Sequence, residues 1–329
     1  MASVASSFLS NIGRRVSNLS LLDNPTQADK NAAFQMKFSL PSHEGMQQSI
    51  SAEISMSNNT GLHYHPGKLH LSEGFLCFDS PGSLLFTLPL YTIRRVERLH
   101  SKSYLFALSI ATWHGLKIAI QFIGLKTSCE EFCNHLKNNL RAHLSDMKNL
   151  KPFLVTCYSE YLLGDRELGP PQVGLGQTFR YPGDARKSRD KSKMRLWAEY
   201  YQTNGRNLTL VRNTTFSKLH RVGLPNRLRG ELWDYDCGSM FLRFQNPNTY
   251  TSILAEHDGR TSLSIEEIEK DLNRSLPEYE GFQSPDGIER LRRVLTAFSW
   301  HNSDVGYCQA MNIVVAALLM FGILQFILI

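Results

Sequence analysis

The chain has 329 residues, with 36 Lys plus Arg against 30 Asp plus Glu and a net charge of +6. Hydrophobic residues make up 42% and charged residues 20%, which excludes a mostly disordered chain, and 13 Pro with 22 Gly exclude collagenous and low-complexity sequence. The length accommodates about two domains, each large enough to bury a core without disulfide or metal staples.

The first 22 residues are Ser-rich, and Arg14 and Arg15 are their only charges. Phe8, Ile12, Val16 and Leu19 lie at helical spacing. A disordered tail, a transit peptide and a surface-lying amphipathic helix all fit this pattern. Residues 1–35 are therefore read as an N-terminal tail.

Residues 36–140 read as one small α+β domain. Six short apolar or alternating runs are separated by turn residues. They are Gly67–Leu71, Gly74–Phe78, Ser83–Thr87, Thr92–Val96, Leu105–Ser109 and Lys117–Phe122. Strands this short and evenly spaced predict an antiparallel sandwich or barrel. After Thr127 and Ser128 the period changes. Phe132, Leu136 and Leu140 recur every fourth residue, which predicts one closing helix. Strands followed by a single C-terminal helix are the pleckstrin-homology-like plan.

Residues 141–194 read as a long linker containing Gly169-Pro-Pro171 and Gly174-Leu-Gly176. That Gly-x-Gly lacks a third glycine and a strand before it, so it makes no nucleotide cradle. Charge is concentrated nearby, with 13 basic residues against three acidic ones between Arg180 and Gly230. Its densest part, Arg186–Arg195, has no hydrophobic period and reads as solvated chain. Contact with anionic lipid is the functional alternative. Nucleic acid is not expected, because no aromatic residues interleave the charges.

From Arg195 the pattern is helical. Leu196, Trp197, Tyr200 and Tyr201 form one apolar face, and Phe216, Leu219 and Val222 another. Gly223-Leu-Pro225 marks a turn that opens a helix carrying Arg229 and Trp233. These two are four apart and are expected to stack as a cation–π pair. Ser264 and Glu267 have capping-box spacing. Ile265, Ile268, Leu272 and Leu276 form the stripe of the helix they open, which is expected to run to Pro277. Asp271 and Arg274 stand beside that stripe as an i,i+3 pair. Ser284-Pro285-Asp286 opens a further helix, and a loop leads from it to Tyr307-Cys-Gln309. The last 17 residues, Ile313 to Ile329, carry no charge and only Gln325 as a strongly polar side chain. A core helix fits this run. So does a tail anchor, at the short edge of a bilayer span.

Six cysteines, at 77, 129, 133, 157, 237 and 308, show no CxxC spacing. They read as thiols in a reducing, cytosolic setting with no metal site.

Two stretches resemble known families. Gly67-Lys-Leu-His-Leu-Ser-Glu-Gly-Phe-Leu-Cys-Phe78 resembles the signature hairpin of a GRAM domain. Phe38-Ser-Leu-Pro41 resembles its lead-in, and Ile93–Val96 and Ile118–Phe122 follow in the expected order. Arg229-x-x-x-Trp233, then Ile268-x-x-Asp271-x-x-Arg274, then Tyr307-x-Gln309 resembles the ordered motif set of TBC domains, which activate Rab GTPases. The resemblance implies a multidomain chain: a PH-like α+β GRAM domain at 36–140, then an all-α TBC domain at 195–329. It implies that Arg274 is an arginine finger and Gln309 a glutamine finger, supplied in trans to a Rab in its GTP form during vesicle trafficking. Asp271 would orient Arg274, and Tyr307 would position the Gln309 loop. Arg229 and Trp233 would hold helices together and shape the contact surface. GTP and Mg²⁺ would come with the Rab, so no cofactor is expected, and the chain is not itself a hydrolase. The GRAM domain implies a membrane-lipid contact and a cytoplasmic protein, with a peripheral position on endomembranes open to it. TBC domains continue well past the glutamine motif, and Met320 to Ile329 departs from the family pattern. The resemblance thus implies an incomplete TBC domain. It leaves open a catalytically inert product that works as a GRAM-based membrane scaffold.

Overall fold

A computed structural model describes residues 26–58, 61–99, 106–164, 169–171, 174–181 and 189–322. Helix α1 (Gln27–Phe38) opens on a capping box, in which Thr26 Oγ1 accepts from the Asp29 N–H and the Asp29 carboxylate accepts from the Thr26 N–H. Its Phe34 and Phe38 are buried. Residues 27–35 are therefore helix anchored in a core rather than free tail. The stripe at Phe8, Ile12, Val16 and Leu19 lies outside the described residues.

Seven antiparallel strands follow: β1 (Gln48–Asn58), β2 (Gly61–Leu71), β3 (Phe75–Ser80), β4 (Leu84–Pro89), β5 (Ile93–Leu99), β6 (Ala107–Thr112) and β7 (Lys117–Ile123). Six of them, β2 to β7, overlap the short runs that predicted them. Leu105 of the expected fifth run lies outside the described residues. Strand β1 was not expected, yet it is central, pairing with both β2 and β7. Its Ala52, Ile54 and Met56 alternate inward, as a half-buried strand requires. Helix α2 (Lys126–Ala142) closes the sheet with Cys129, Phe132 and Leu136 buried, as the four-residue spacing predicted. These strands and α2 share one apolar core.

The remaining elements are helices apart from one strand. They are α3 (Met147–Leu154), α4 (Tyr158–Leu163), α5 (Leu175–Thr178), α6 (Asp190–Asn204), β8 (Val211–Asn213), α7 (Thr214–Val222), α8 (Asn226–Cys237), α9 (Ser239–Gln245), α10 (Thr249–Glu256), α11 (Leu263–Leu272), α12 (Pro285–His301) and α13 (Met311–Phe321). The sheet order is β5-β6-β7-β1-β2-β3-β4-β8. The helical half thus lends β8 to the free side of β4, pairing Leu84 with Asn213 and Phe86 with Val211. That three-residue strand is the departure from the all-α expectation.

The stretch 141–194 is not a solvated linker throughout. Leu150, Phe153, Leu154, Cys157 and Tyr158 are buried. They join α1, Phe75, Cys77 and Tyr91 of the GRAM-like half and helices α6 to α9 in a second core. Phe75 meets Phe241 edge-on at 5.2 Å, and Tyr91 stacks on Phe244 at 3.9 Å and 13°. Beside them Glu160 accepts from Arg206 Nε and Nη2, with His114 Nε2 at 2.5 Å. Burial opposes ionisation of Glu160, but the side-chain contacts with His114 and Arg206 outweigh it and hold its carboxyl down at about 2. Gly174 and Gly176 serve packing: a Cβ at either would stand 2.6 or 2.7 Å from the Met320 carbonyl. Of the basic run, residues 182–188 lie outside the described residues, and Asp190 begins α6.

Helix α5 and α10 to α13 enclose a third core. Among the described residues no helix is long and apolar enough to cross a membrane. Residues 323–329 of the apolar terminal run lie outside the described residues.

Candidate functional site

Helix α11 starts earlier than its sequence suggests. Ser262 is the cap, its hydroxyl accepting from the Ile265 N–H at 3.3 Å. Ser262 is extended, at φ −153 and ψ 165, as a cap must be. Ser264 already lies inside the first turn and cannot cap it. Ile268 and Leu272 face the third core. The helix ends at Leu272 with Asn273 as its cap, before Pro277. Arg274 consequently lies just beyond the helix, its N–H donating to the Asp271 carbonyl at 3.2 Å.

Asp271 is 5% exposed and is the hub of the site. Its Oδ2 accepts from the Tyr307 hydroxyl at 2.7 Å, and its Oδ1 accepts from Arg274 Nη2. The Asp271 carbonyl accepts from Ser275 Oγ at 2.6 Å. Asn312 Nδ2 donates to Ser275 Oγ at 2.7 Å and to the same carbonyl at 3.4 Å. Burial, aided by the bond to Asp271, pushes the Tyr307 phenol above its ordinary range. The Arg274 side chain remains 65% exposed.

The second half of the site descends from α12. Ser284 caps it by accepting from the Gly287 N–H, and Pro285 occupies its first turn, as expected. After His301 the chain turns through Gly306, at φ 58, to the buried Tyr307. Ala310 then adopts φ 80 and ψ −8 at the start of α13, a left-handed conformation that costs a non-glycine residue about 1–2 kcal/mol. Gln309 is exposed between these two points. The buried Tyr307 and Asn312 anchor the loop, and the strained turn at Ala310 projects Gln309 outward.

Together Glu267, Lys270, Asp271, Arg274, Tyr307 and Gln309 line a surface recess of about 250 Å³. It offers an exposed guanidinium, which keeps its charge at any working pH, and an amide that can both donate and accept. Such a pair suits phosphate oxygens and an ordered water.

Arg229 and Trp233 lie elsewhere. They do not stack on each other. The Arg229 guanidinium sits 4.4 Å from the Phe321 ring, and Trp233 meets the same ring edge-on at 5.5 Å. Phe321, at the end of α13, supplies the aromatic face that the local spacing assigned to Trp233. Both side chains thus reach from α8 to the end of α13. Ser275 and Asn312 were not anticipated. Asn312 shares a face with Val315, Ala316 and Leu319, at i, i+3, i+4 and i+7. A polar residue on an otherwise apolar stripe must find a buried partner, and that was the available signal.

The family model for the Rab-GTPase-TBC domain matches residues 226–325, and that for the GRAM domain matches residues 32–144. A protein of Emericella nidulans named "Putative GTPase-activating protein" is 47% identical over 89% of this chain and 32% of its own length. GTPase-activating protein gyp2 of Schizosaccharomyces pombe is 36% identical over 78% of this chain and 37% of its own length. Among solved structures, the Chlamydomonas flagellar RabGAP TBC domain is 27% identical, with a TM-score of 0.36, over 46% of this chain and 49% of that one. The chain spans about a third of the length of the two curated relatives.

Proposed function

We propose, on the premise that this chain joins a GRAM domain to sequence of the Rab-GTPase-TBC domain family, that it acts as a GTPase-activating protein for a Rab in its GTP form. The observation that carries the reading is the recess in which exposed Arg274 and Gln309 flank the buried Asp271–Tyr307 pair. Hydrolysis of GTP builds charge on the transferring phosphate oxygens and needs a placed water. Arg274 supplies the positive charge. Its hold on Asp271 fixes where the guanidinium stands, and its exposure lets it turn toward an incoming phosphate. Gln309 orients the attacking water through its amide. Tyr307 keeps Asp271 in place and tethers the Gln309 loop to the end of α11. Nucleotide and Mg²⁺ arrive with the GTPase, and this chain contributes no cofactor of its own. The setting is cytoplasmic, in vesicle trafficking, and the GRAM domain gives peripheral contact with membrane lipid.

Single-turnover GTP hydrolysis across a Rab panel tests this reading. The parent chain should accelerate at least one Rab. Arg274→Ala should remove about 10³-fold or more of that acceleration with a cooperative melt retained, and Gln309→Ala should also slow it. Near-parental stimulation by Arg274→Ala refutes the finger role, and absence of stimulation across the panel refutes the activity.

A further inference from the structure

The two ends of the sheet are treated differently. At one end β8 covers β4. At the other, among the described residues β5 pairs with β6 alone. Strand β5 therefore presents a row of peptide N–H and C=O groups with no strand against it among the described residues, which is a template for another chain.

Beside this edge runs α2, leaving a groove of about 380 Å³ between helix and strands. Val96, Leu108, Cys133, Leu136, Leu140 and Leu144 form its apolar lining. Among the described residues, the charged ones lining it are Lys137 and Arg141, both exposed. Arg98 adds a third cation, lying 4.3 Å over the Phe106 ring and close enough to bear on the Cys133 thiol. Burial pushes that thiol up to about 11, so at neutral pH the groove floor carries no thiolate to offset these cations. Arg98, Lys137 and Arg141 have no ion-pair partner among the described residues.

We propose that this edge and groove dock an extended acidic peptide of another protein. Its backbone would add to β5 as a ninth strand at the open end of the eight-stranded sheet. Alternate apolar side chains would enter the groove, and its carboxylates would meet Arg98, Lys137 and Arg141. Strand addition takes its affinity from main-chain bonds and its selectivity from pockets for alternate side chains, and both parts stand together here. A second copy of β5 is disfavoured, because Arg94, Arg95 and Arg98 against Glu97 give the strand a net positive charge. A lipid tail could fill the apolar floor, but it has no groups to pair with the peptide row of β5.

The test uses the full chain and three synthetic probes: an acidic peptide alternating Glu with Leu and Val, its Lys-for-Glu counterpart, and the acidic peptide with alternate backbone nitrogens methylated. Calorimetry should show the acidic peptide binding at least about tenfold more tightly than either of the others. Hydrogen exchange should show new protection over Arg94–Leu99. Lys137→Glu with Arg141→Glu changes only exposed side chains, so the fold is retained, and it should reverse the preference toward the Lys peptide. Equal affinity for all three probes, or no added protection of β5, overturns the proposal. Binding to phosphatidylserine vesicles that is lost in the double variant, without peptide binding, overturns it in favour of a lipid surface.

Discussion

Replacing Tyr307 by Phe tests the hub of the site, because it keeps the ring and removes one hydroxyl. That hydroxyl donates to Asp271 Oδ2 at 2.7 Å, and the two residues are 9% and 5% exposed. The other side-chain donor to this carboxylate, Arg274, is 65% exposed, so solvent screens it and its share is about 1 kcal/mol or less. Loss of the Tyr307 bond leaves a buried charged acceptor short of a donor, a cost of about 1.5–3 kcal/mol. For a chain of this size each kcal/mol corresponds to about 2–4 °C, so the melting temperature should fall by about 3–12 °C. Arg274→Ala should move it by less. A double-mutant cycle of Tyr307→Phe with Asp271→Ala should give a coupling above about 0.5 kcal/mol. In the hydrolysis assay Tyr307→Phe should reduce kcat more than it raises KM, since the hydroxyl places the fingers and does not bind the GTPase. A melt of Tyr307→Phe indistinguishable from the parent, or a larger loss in Arg274→Ala, refutes the assignment of Tyr307 as the main support of Asp271.

Burial pushes the Glu231 carboxyl from 4.5 up to about 7, against the bonds it accepts from Ser159. A raised acid contributes stability that is complete below 4.5 and lost as pH rises through 7, so about 3 kcal/mol should disappear over that window. The difference in urea-unfolding stability between Glu231→Gln and the parent should carry this slope, and a flat difference would contradict it. Gly230→Ala should destabilise despite the better helix propensity of Ala, worth about 1 kcal/mol, because its Cβ would lie 2.0 Å from the Phe321 carbonyl. Thermal melts decide the sign. Ala310→Gly relieves the φ of 80, worth about 1–2 kcal/mol, but adds chain entropy worth about 0.5–1 kcal/mol, so stability should hold or rise by up to about 1.5 kcal/mol; a fall would show that the turn is unstrained.

The elements that were legible in the sequence are those whose evidence is local. Strands β2 to β7 and helix α2 show their periods within a few residues. Strand β1 shows one too, but with Ala52 at an inward position and Ser51, Glu53 and Ser55 between, so its composition resembles loop. Helices α3 and α4 are short, and their burial comes from the second core, where Phe153 meets Phe244 edge-on at 5.4 Å. No local pattern reveals partners that distant.

The site divides in the same way. Asp271 with Arg274, and Tyr307 with Gln309, are within one turn of each other, so their spacing alone places each pair. What brings the pairs together is long-range: the Tyr307–Asp271 bond, and Asn312 reaching back to Ser275. The misreading of Arg229 and Trp233 has the same physical origin. An i,i+4 pair on a helix surface gains only about 0.2–0.5 kcal/mol, less than either side chain gains by closing on a buried-side aromatic ring such as Phe321. Long-range partners therefore override weak local pairs, while Asp271 keeps its neighbour Arg274 because the two carry opposite charges three residues apart and no other cation is in hydrogen-bond reach of the carboxylate among the described residues. The same buried carboxylate that makes that contact also holds Tyr307 and so fixes the loop carrying Gln309, which makes the placement of both proposed fingers depend on one side chain.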